Sequence, residues 1–152
     1  MKNNNFQRKE INLFAAVIIG STYKASKMPD EFRRIVIEQL KLAAQHKDKY
    51  IAGLSALILV GLSECVDNHT DIIAEIIPNI LRKYISEGEH QLVNQGMMLA
   101  LNLLYYGSDE TKEKVIEAIP KESIAQFLRQ INDQNGLIFA ARLLNEWIQF
   151  IS

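Results

Sequence analysis

The side chains with a capacity for chemistry are few and scattered. Histidine occurs at positions 46, 69 and 90, and the single cysteine, Cys65, stands four residues before His69. A thiol beside an imidazole is the minimal arrangement for a nucleophile with its base, and Asp71 would supply the orienting carboxylate. The local pattern speaks against that chemistry. A helix end falls between Cys65 and His69, and Cys65 continues an apolar face, so a buried, inert thiol is expected. His46 and His90 fall in turns along one edge of the predicted fold and His69 in a turn on the other. All three are expected to be exposed and apart, with no metal-ligand spacing among them. Glu64, Asp67 and Asp71 crowd one turn without the ligand order of an EF-hand, and read as solvated caps. Glu113 and Glu117 lie four apart beside Lys112, Lys114 and Lys121, which is ordinary charge patterning on an exposed helix. Gly53 and Gly61 sit inside a predicted helix and not in a phosphate loop. The expectation is a protein that is not an enzyme, with no catalytic residue, no cofactor and no metal.

The elements that would position these residues are helical throughout. At 152 residues, 48% hydrophobic, the chain has the size of one domain and enough apolar surface to exclude a disordered polymer. A single cysteine excludes a disulfide framework. The longest apolar stretch, 54–62, is far short of the roughly 20 residues that span a bilayer. Lys2, Arg8 and Lys9 before residues 11–20 resemble a leader peptide, but Glu10 and Asn12 interrupt it and no small-x-small cleavage site follows. With Met1 at the start, a cytoplasmic protein is expected.

Apolar residues recur at helical spacing from end to end. Phe6, Ile11, Phe14, Val17 and Ile18 predict one face of a first helix ending near Gly20. Phe32, Ile35, Val36, Gln39, Leu40 and Ala43 predict a second, after the break at Met28-Pro29-Asp30. Residues 50–65 are apolar almost all round and are expected in the core. A cluster at 68–71 caps a fourth helix through Ile72, Ile73, Ile76, Ile77, Ile80, Leu81 and Tyr84. A fifth spans 91–106, Ser108-Asp109 caps a sixth segment broken at Pro120, and 135–150 forms the last.

Three apolar helices carry an early glycine, at 53, 96 and 136, spaced 43 and 40 apart. The helices before them begin near Asp30, Asp71 and Asp109, spaced 41 and 38 apart. Helix pairs repeating at about 40 residues predict an α-solenoid, and each glycine is expected to admit a close helix–helix approach. The predicted organisation is an all-α, short right-handed solenoid over 1–152. An N-terminal capping helix (1–27) precedes three helix pairs at 30–66, 68–107 and 108–152.

Residues 75–84 (EIIPNILRKY), followed by an acidic turn and residues 93–104 (VNQGMMLALNLL), resemble a HEAT or armadillo repeat. Pro78 lies where the first helix of such a unit is often kinked. The resemblance covers about residues 30–150 and departs from the HEAT pattern at Glu87, Glu89 and Asn94, which leaves the choice between HEAT and armadillo open. It implies a protein-binding role, with the second helices lining the binding side. In repeat register, Leu59, Asn102 and Arg142 share one level and Ser63, Tyr106 and Glu146 the next. The candidate binding residues are Asn102, Tyr105, Tyr106, Arg142, Asn145, Glu146 and Gln149. Tyrosine and arginine among them are the types that dominate interface energetics.

Charge divides unevenly: residues 1–50 carry +5 and residues 51–152 carry −6. The expected function is non-enzymatic binding of a protein partner, with a bacterial immunity protein of contact-dependent growth inhibition as its most specific form. Small helical-repeat proteins of this kind are similar in outline to some immunity proteins, and an acidic surface would steer a basic toxin nuclease. A scaffold or adaptor holding a peptide in its groove is the alternative. A second alternative is nucleic-acid binding through Arg8, Lys9, Lys24, Lys27, Arg33, Arg34, Lys41, Lys47 and Lys49; the near-neutral total charge makes that less expected. No membrane partner is expected. Periodicity leaves the oligomeric state undetermined, and leaves open whether Ile148, Phe150 and Ile151 cap the last repeat or join two copies.

Overall fold

The computed structural model describes residues 3–87, 89–130, 141, 142 and 144–149. Among these residues every regular element is helical. The order is α1 (Asn3–Thr22), α2 (Asp30–Ala43), α3 (Lys49–Leu62), a 3-10 turn (Val66–Asn68), α4 (His69–Ile73), α5 (Ile77–Glu87), α6 (His90–Tyr106), α7 (Asp109–Ala118) and α8 (Lys121–Gln130). Residues 141, 142 and 144–149 are also helical and are called here the C-terminal helical segment. Gly136 and the predicted helix start at Asn135 lie outside the described residues, as do Phe150 and Ile151.

The helices lie in two layers. In one, α3 packs between α1 and α6; in the other, α2 packs on α4, and α4 and α5 on α7. The layers join where α2 meets α1 and α3, and where α6 meets α5 and α7. Their shared core includes Ile37, Leu40, Leu59, Leu62, Leu81, Met97, Leu103 and Leu104, and extends to Ala141, Leu144 and Ile148 of the C-terminal segment.

Local chemistry sets the helix ends. The Asp48 carboxylate accepts from the backbone N–H of Tyr50 and Ile51 at the start of α3, and Ser108 Oγ accepts from Thr111 N at the start of α7. Asp30 and Glu31 place negative charge on the first turn of α2, where the helix dipole favours it. Asn68 departs from the expected capping role: it makes no side-chain cap, because its amide is engaged elsewhere in the core.

The predicted fourth helix is two helices. The chain leaves α4 at Ala74, Glu75 adopts a left-handed φ of 59°, and α5 begins at Ile77. Pro78 therefore sits in a first turn, where a missing N–H is harmless, and does not kink a continuous helix as the HEAT resemblance implied. In a continuous helix, Ala74 O would need the N–H that Pro78 lacks, and Asp71 O would need that of Glu75. The ammonium of Lys41, only 2% exposed, takes both carbonyls at 2.8 and 2.7 Å. Burial pulls the Lys41 pKa down from its ordinary value, and nearby Glu75, Glu38 and Asp71 act in the opposite direction.

The apolar faces differ in phase from expectation in three helices. Phe14 and Ile18 of α1 are 68% and 66% exposed, and the helix packs through Val17, as expected, together with Ala16 and Gly20. In α2, Ile35 is exposed while Ile37 is fully buried. In α3, Leu57 is 55% exposed and Leu59 fully buried, so the helix has an outer face after all. The side chains of Phe6 and Ile11 lie outside the described residues.

Helices approach closely at Gly20, where an added Cβ would lie 2.6 Å from Ile58 Cγ2. Gly96 also meets its neighbour closely, with Tyr84 Cβ at 3.0 Å from the same construction. Gly53 does not: its nearest neighbours are the ends of Gln91 and Gln95 at ordinary contact distance.

Candidate functional site

Side chains bridge neighbouring helices across 30 to 42 residues, with Lys41 reaching 30 and 33 and several others 39 to 42. Asn68 accepts from Met28 N and donates to Ser26 O, 40 and 42 residues away. Tyr84 Oη donates to Ala44 O across 40 residues, and Lys49 pairs with Glu89 across the same separation. Asn102 Nδ2 donates to Val60 O and Ser63 Oγ, each at 3.1 Å, 42 and 39 residues away. Burial pushes the Tyr84 phenol up to about 12, since the phenolate would have to form among Ala44, Ala52 and the surrounding core.

These bonds sort the predicted binding residues. Asn102 is half-buried, and its amide ties α6 to the end of α3. Leu59 and Ser63, assigned to the same surface levels, are fully buried. Tyr105 is 69% exposed and Tyr106 is also exposed, and their rings stack edge to face with centroids 4.8 Å apart. Arg142, Glu146 and Gln149 are exposed on the C-terminal segment and Asn145 is partly exposed. Lys112 of α7 places its ammonium 5.9 Å from the ring centroid of Trp147, which links that segment to α7.

The residues first considered for chemistry do not assemble. The Cys65 thiol is partly exposed and contacts Asp67 Oδ2 at 3.8 Å, while Asp71 pairs with Arg33 at 2.7 Å. His69 is buried, contrary to the exposed turn position expected, with Nε2 2.6 Å from Ser63 O. A carbonyl can only accept, so Nε2 donates its proton to Ser63 O, while Nδ1 has no hydrogen-bond partner. The imidazole closes the end of α3 and has no geometry to activate the thiol. Among the described residues no three His, Cys, Asp or Glu side chains group as metal ligands.

Several candidate phosphate-binding cations are engaged within the fold. Arg33 bridges Asp30 and Asp71, Arg34 pairs with Glu38 at 2.9 Å, Lys49 pairs with Glu89, and Lys41 is buried. The guanidinium pKa values of Arg33 and Arg34 are raised, chiefly by hydrogen bonds to Asp71 and Glu38 respectively. The side chains of Arg8 and Lys9 lie outside the described residues.

Sequence reasoning missed the apolar outer face of the α1–α3–α6 layer. Phe14, Leu57 and Met98 occupy corresponding outward positions on the three helices, 43 and 41 residues apart, with Ile18 one turn beyond Phe14. The signal was present. Residues 11–23, 50–63 and 91–106 contain no Asp, Glu, Lys or Arg, so these helices lack a charged solvent face. Between α1 and α3 lies a shallow cavity of about 290 Å³, lined by Gly20, Ser21, Leu54, Leu57 and Ile58, with Lys24 and Glu64 at its end. A second cavity, of about 220 Å³, lies among His46, Lys47, Lys49, Lys83, Tyr84 and Glu89. Among the described residues no helix is long and apolar enough to cross a membrane. In comparisons with known proteins, no family model matches the chain and no curated protein matches it.

Proposed function

We propose that this chain is a non-enzymatic protein-binding module made of stacked helix pairs, in the manner of a short HEAT- or armadillo-like solenoid. Its partner would dock on the exposed Tyr105 and Tyr106, with Arg142, Glu146 and Gln149 as further candidate contacts. The stacking is supported by the recurrence of interhelical hydrogen bonds at 39 to 42 residues. In a stack, each unit bonds to the equivalent place in the next.

The single observation that carries the binding role is the exposed, edge-to-face Tyr105–Tyr106 pair at the end of α6. Two large aromatic rings held by each other lose little conformational freedom on binding and present both apolar area and hydroxyls, the composition of an interface hot spot. A protein partner is favoured over nucleic acid because Arg33, Arg34, Lys41 and Lys49 already have partners inside the fold. Neutralisation of a toxin domain is the specific role proposed within this class, with the partner's active site covered by the bound module.

The test is a pull-down with the tagged full chain from its native host, with the product of the neighbouring gene co-expressed. A stoichiometric protein partner is expected. Its affinity should fall at least thirtyfold in Tyr105→Ala/Tyr106→Ala, which corresponds to about 2 kcal/mol for a hot-spot loss. Relief of partner toxicity would establish the toxin-neutralising form; a non-toxic partner held through the same residues would make the chain an adaptor. Nuclease-sensitive nucleic acid in place of any protein would overturn the binding role.

A further inference from the structure

The outer face of α1 and α3 differs in chemistry from the tyrosine-bearing end, and it supports a separate conclusion. Phe14, Ile18 and Leu57 are more than half exposed, and Tyr50, at the start of the same α3 stripe, is 77% exposed. The two helices run side by side in the same direction: Gly20 lies against Ile58, and Ala25 N donates to Gly61 O at 2.9 Å. The four side chains therefore form one patch, continued by partly buried Ile51 and Leu54 and by the shallow cavity between the helices.

We propose that this face is the interface between two copies of the chain. Area is the first argument. The four side chains leave on the order of 500 Å² open, near the upper end of what monomers expose as a single apolar patch. Two copies joined across it would bury roughly 1,000 Å² from these four side chains alone, the lower bound for a specific interface.

Charge is the second. Neither residues 11–23 nor residues 50–63 contain a charged side chain. A symmetric pairing sets each patch against its own image, so charge within it would risk meeting its like; the four central side chains bring none, and Lys24 and Glu64 lie only at the end of the cavity. Recognition of an unlike partner draws on complementary charge, which the face does not supply. Apolar composition of this kind is the mark of homodimer interfaces.

Sedimentation equilibrium of the full chain over roughly 1–100 μM tests the proposal. The expected mass is twice the 17.3 kDa of one chain. Leu57→Glu and Ile18→Glu should each weaken dimerisation at least tenfold with unchanged far-UV circular dichroism, because both side chains already face solvent in the single chain. Tyr105→Ala should leave the dimer intact, which separates this interface from the proposed partner site. A chain that stays at 17.3 kDa throughout, or a dimer indifferent to both glutamates, would overturn the proposal. So would a monomer that binds phosphatidylcholine vesicles, or an unlike protein, through Leu57.

Discussion

Asn68 offers the sharpest test of how the first helices are held to the rest of the fold. Its side chain is fully buried and makes three hydrogen bonds: Oδ1 accepts from Met28 N at 3.2 Å, and Nδ2 donates to Ser26 O and Leu62 O, each at 3.0 Å. One amide thus fastens the α1–α2 connection to the end of α3. In Asn68→Ala all three backbone groups lose their partner together. A typical hydrogen bond contributes about 1 kcal/mol net, and a buried group left unpaired costs about 1–3 kcal/mol. Water can reach some of the partners, so the expected loss is about 3–4 kcal/mol. For a chain of this size that lowers Tm by roughly 10 °C. Urea unfolding followed by circular dichroism measures it, with an unchanged denaturant slope showing that the denatured state is unaltered. Asn102→Ala is the internal comparison: that amide makes two bonds from a half-buried position where water can substitute, so about 1 kcal/mol is expected. A loss below about 1 kcal/mol in Asn68→Ala, or one equal to that of Asn102→Ala, would refute the reasoning that burial of the amide makes these bonds decisive.

Gly20→Ala and Gly53→Ala should have opposite signs by chemical denaturation. The first drives a methyl to 2.6 Å from Ile58 Cγ2, an overpacking cost that exceeds the roughly 1 kcal/mol of helix propensity gained; the second meets only flexible Gln91 and Gln95 and should stabilise by up to about 1 kcal/mol. Tyr84 controls an alkaline transition. Its folded pKa of about 12 lies above the ordinary 10, so its contribution is fully present below pH 10 and is lost as pH rises through about 12. One of the five tyrosines should ionise only in that range by absorbance titration, and Tyr84→Phe should remove the corresponding fall in stability. Lys41 acts with the opposite slope: its lowered pKa means the unfolded chain binds more protons just below pH 10.5, so its contribution to stability rises with pH there. Lys41→Met should abolish that rise in unfolding free energy measured against pH.

Local sequence marked most of the helices, though not the break between α4 and α5. Asp48 and Ser108 cap α3 and α7 because their side chains reach N–H groups two or three residues away, and Pro29 and Pro78 fall at helix starts because proline lacks the donor that a helix interior needs. The apolar period marked Ile72, Ile73, Ile76, Ile77, Ile80, Leu81 and Tyr84 as core, and all are buried but Ile76, which is partly buried against it. Several interhelical hydrogen bonds span 39 to 42 residues, near the spacing read from glycines and helix starts, whereas those of Lys41 span 30 and 33.

Tertiary structure decided which way the apolar helices turn. A helix with charges on one side announces its outer face, whereas residues 11–23 and 50–63 carry none, so Phe14 and Leu57 were locally indistinguishable from core positions such as Leu59. Only the neighbours to be packed against broke that degeneracy. The same holds for the polar residues drawn inside. Lys41 is buried because carbonyls 30 and 33 residues away, freed where α4 ends before Pro78, accept its ammonium. Asn102 left the predicted surface because Val60 O and Ser63 Oγ accept its amide. Tyr105 and Tyr106 stay exposed at the end of α6, next to the fully buried Leu103 and Leu104. A hydrogen-bonding partner far away in sequence can bury a polar side chain, and the lack of one can leave an apolar side chain in solvent; neither is written in the residues nearby.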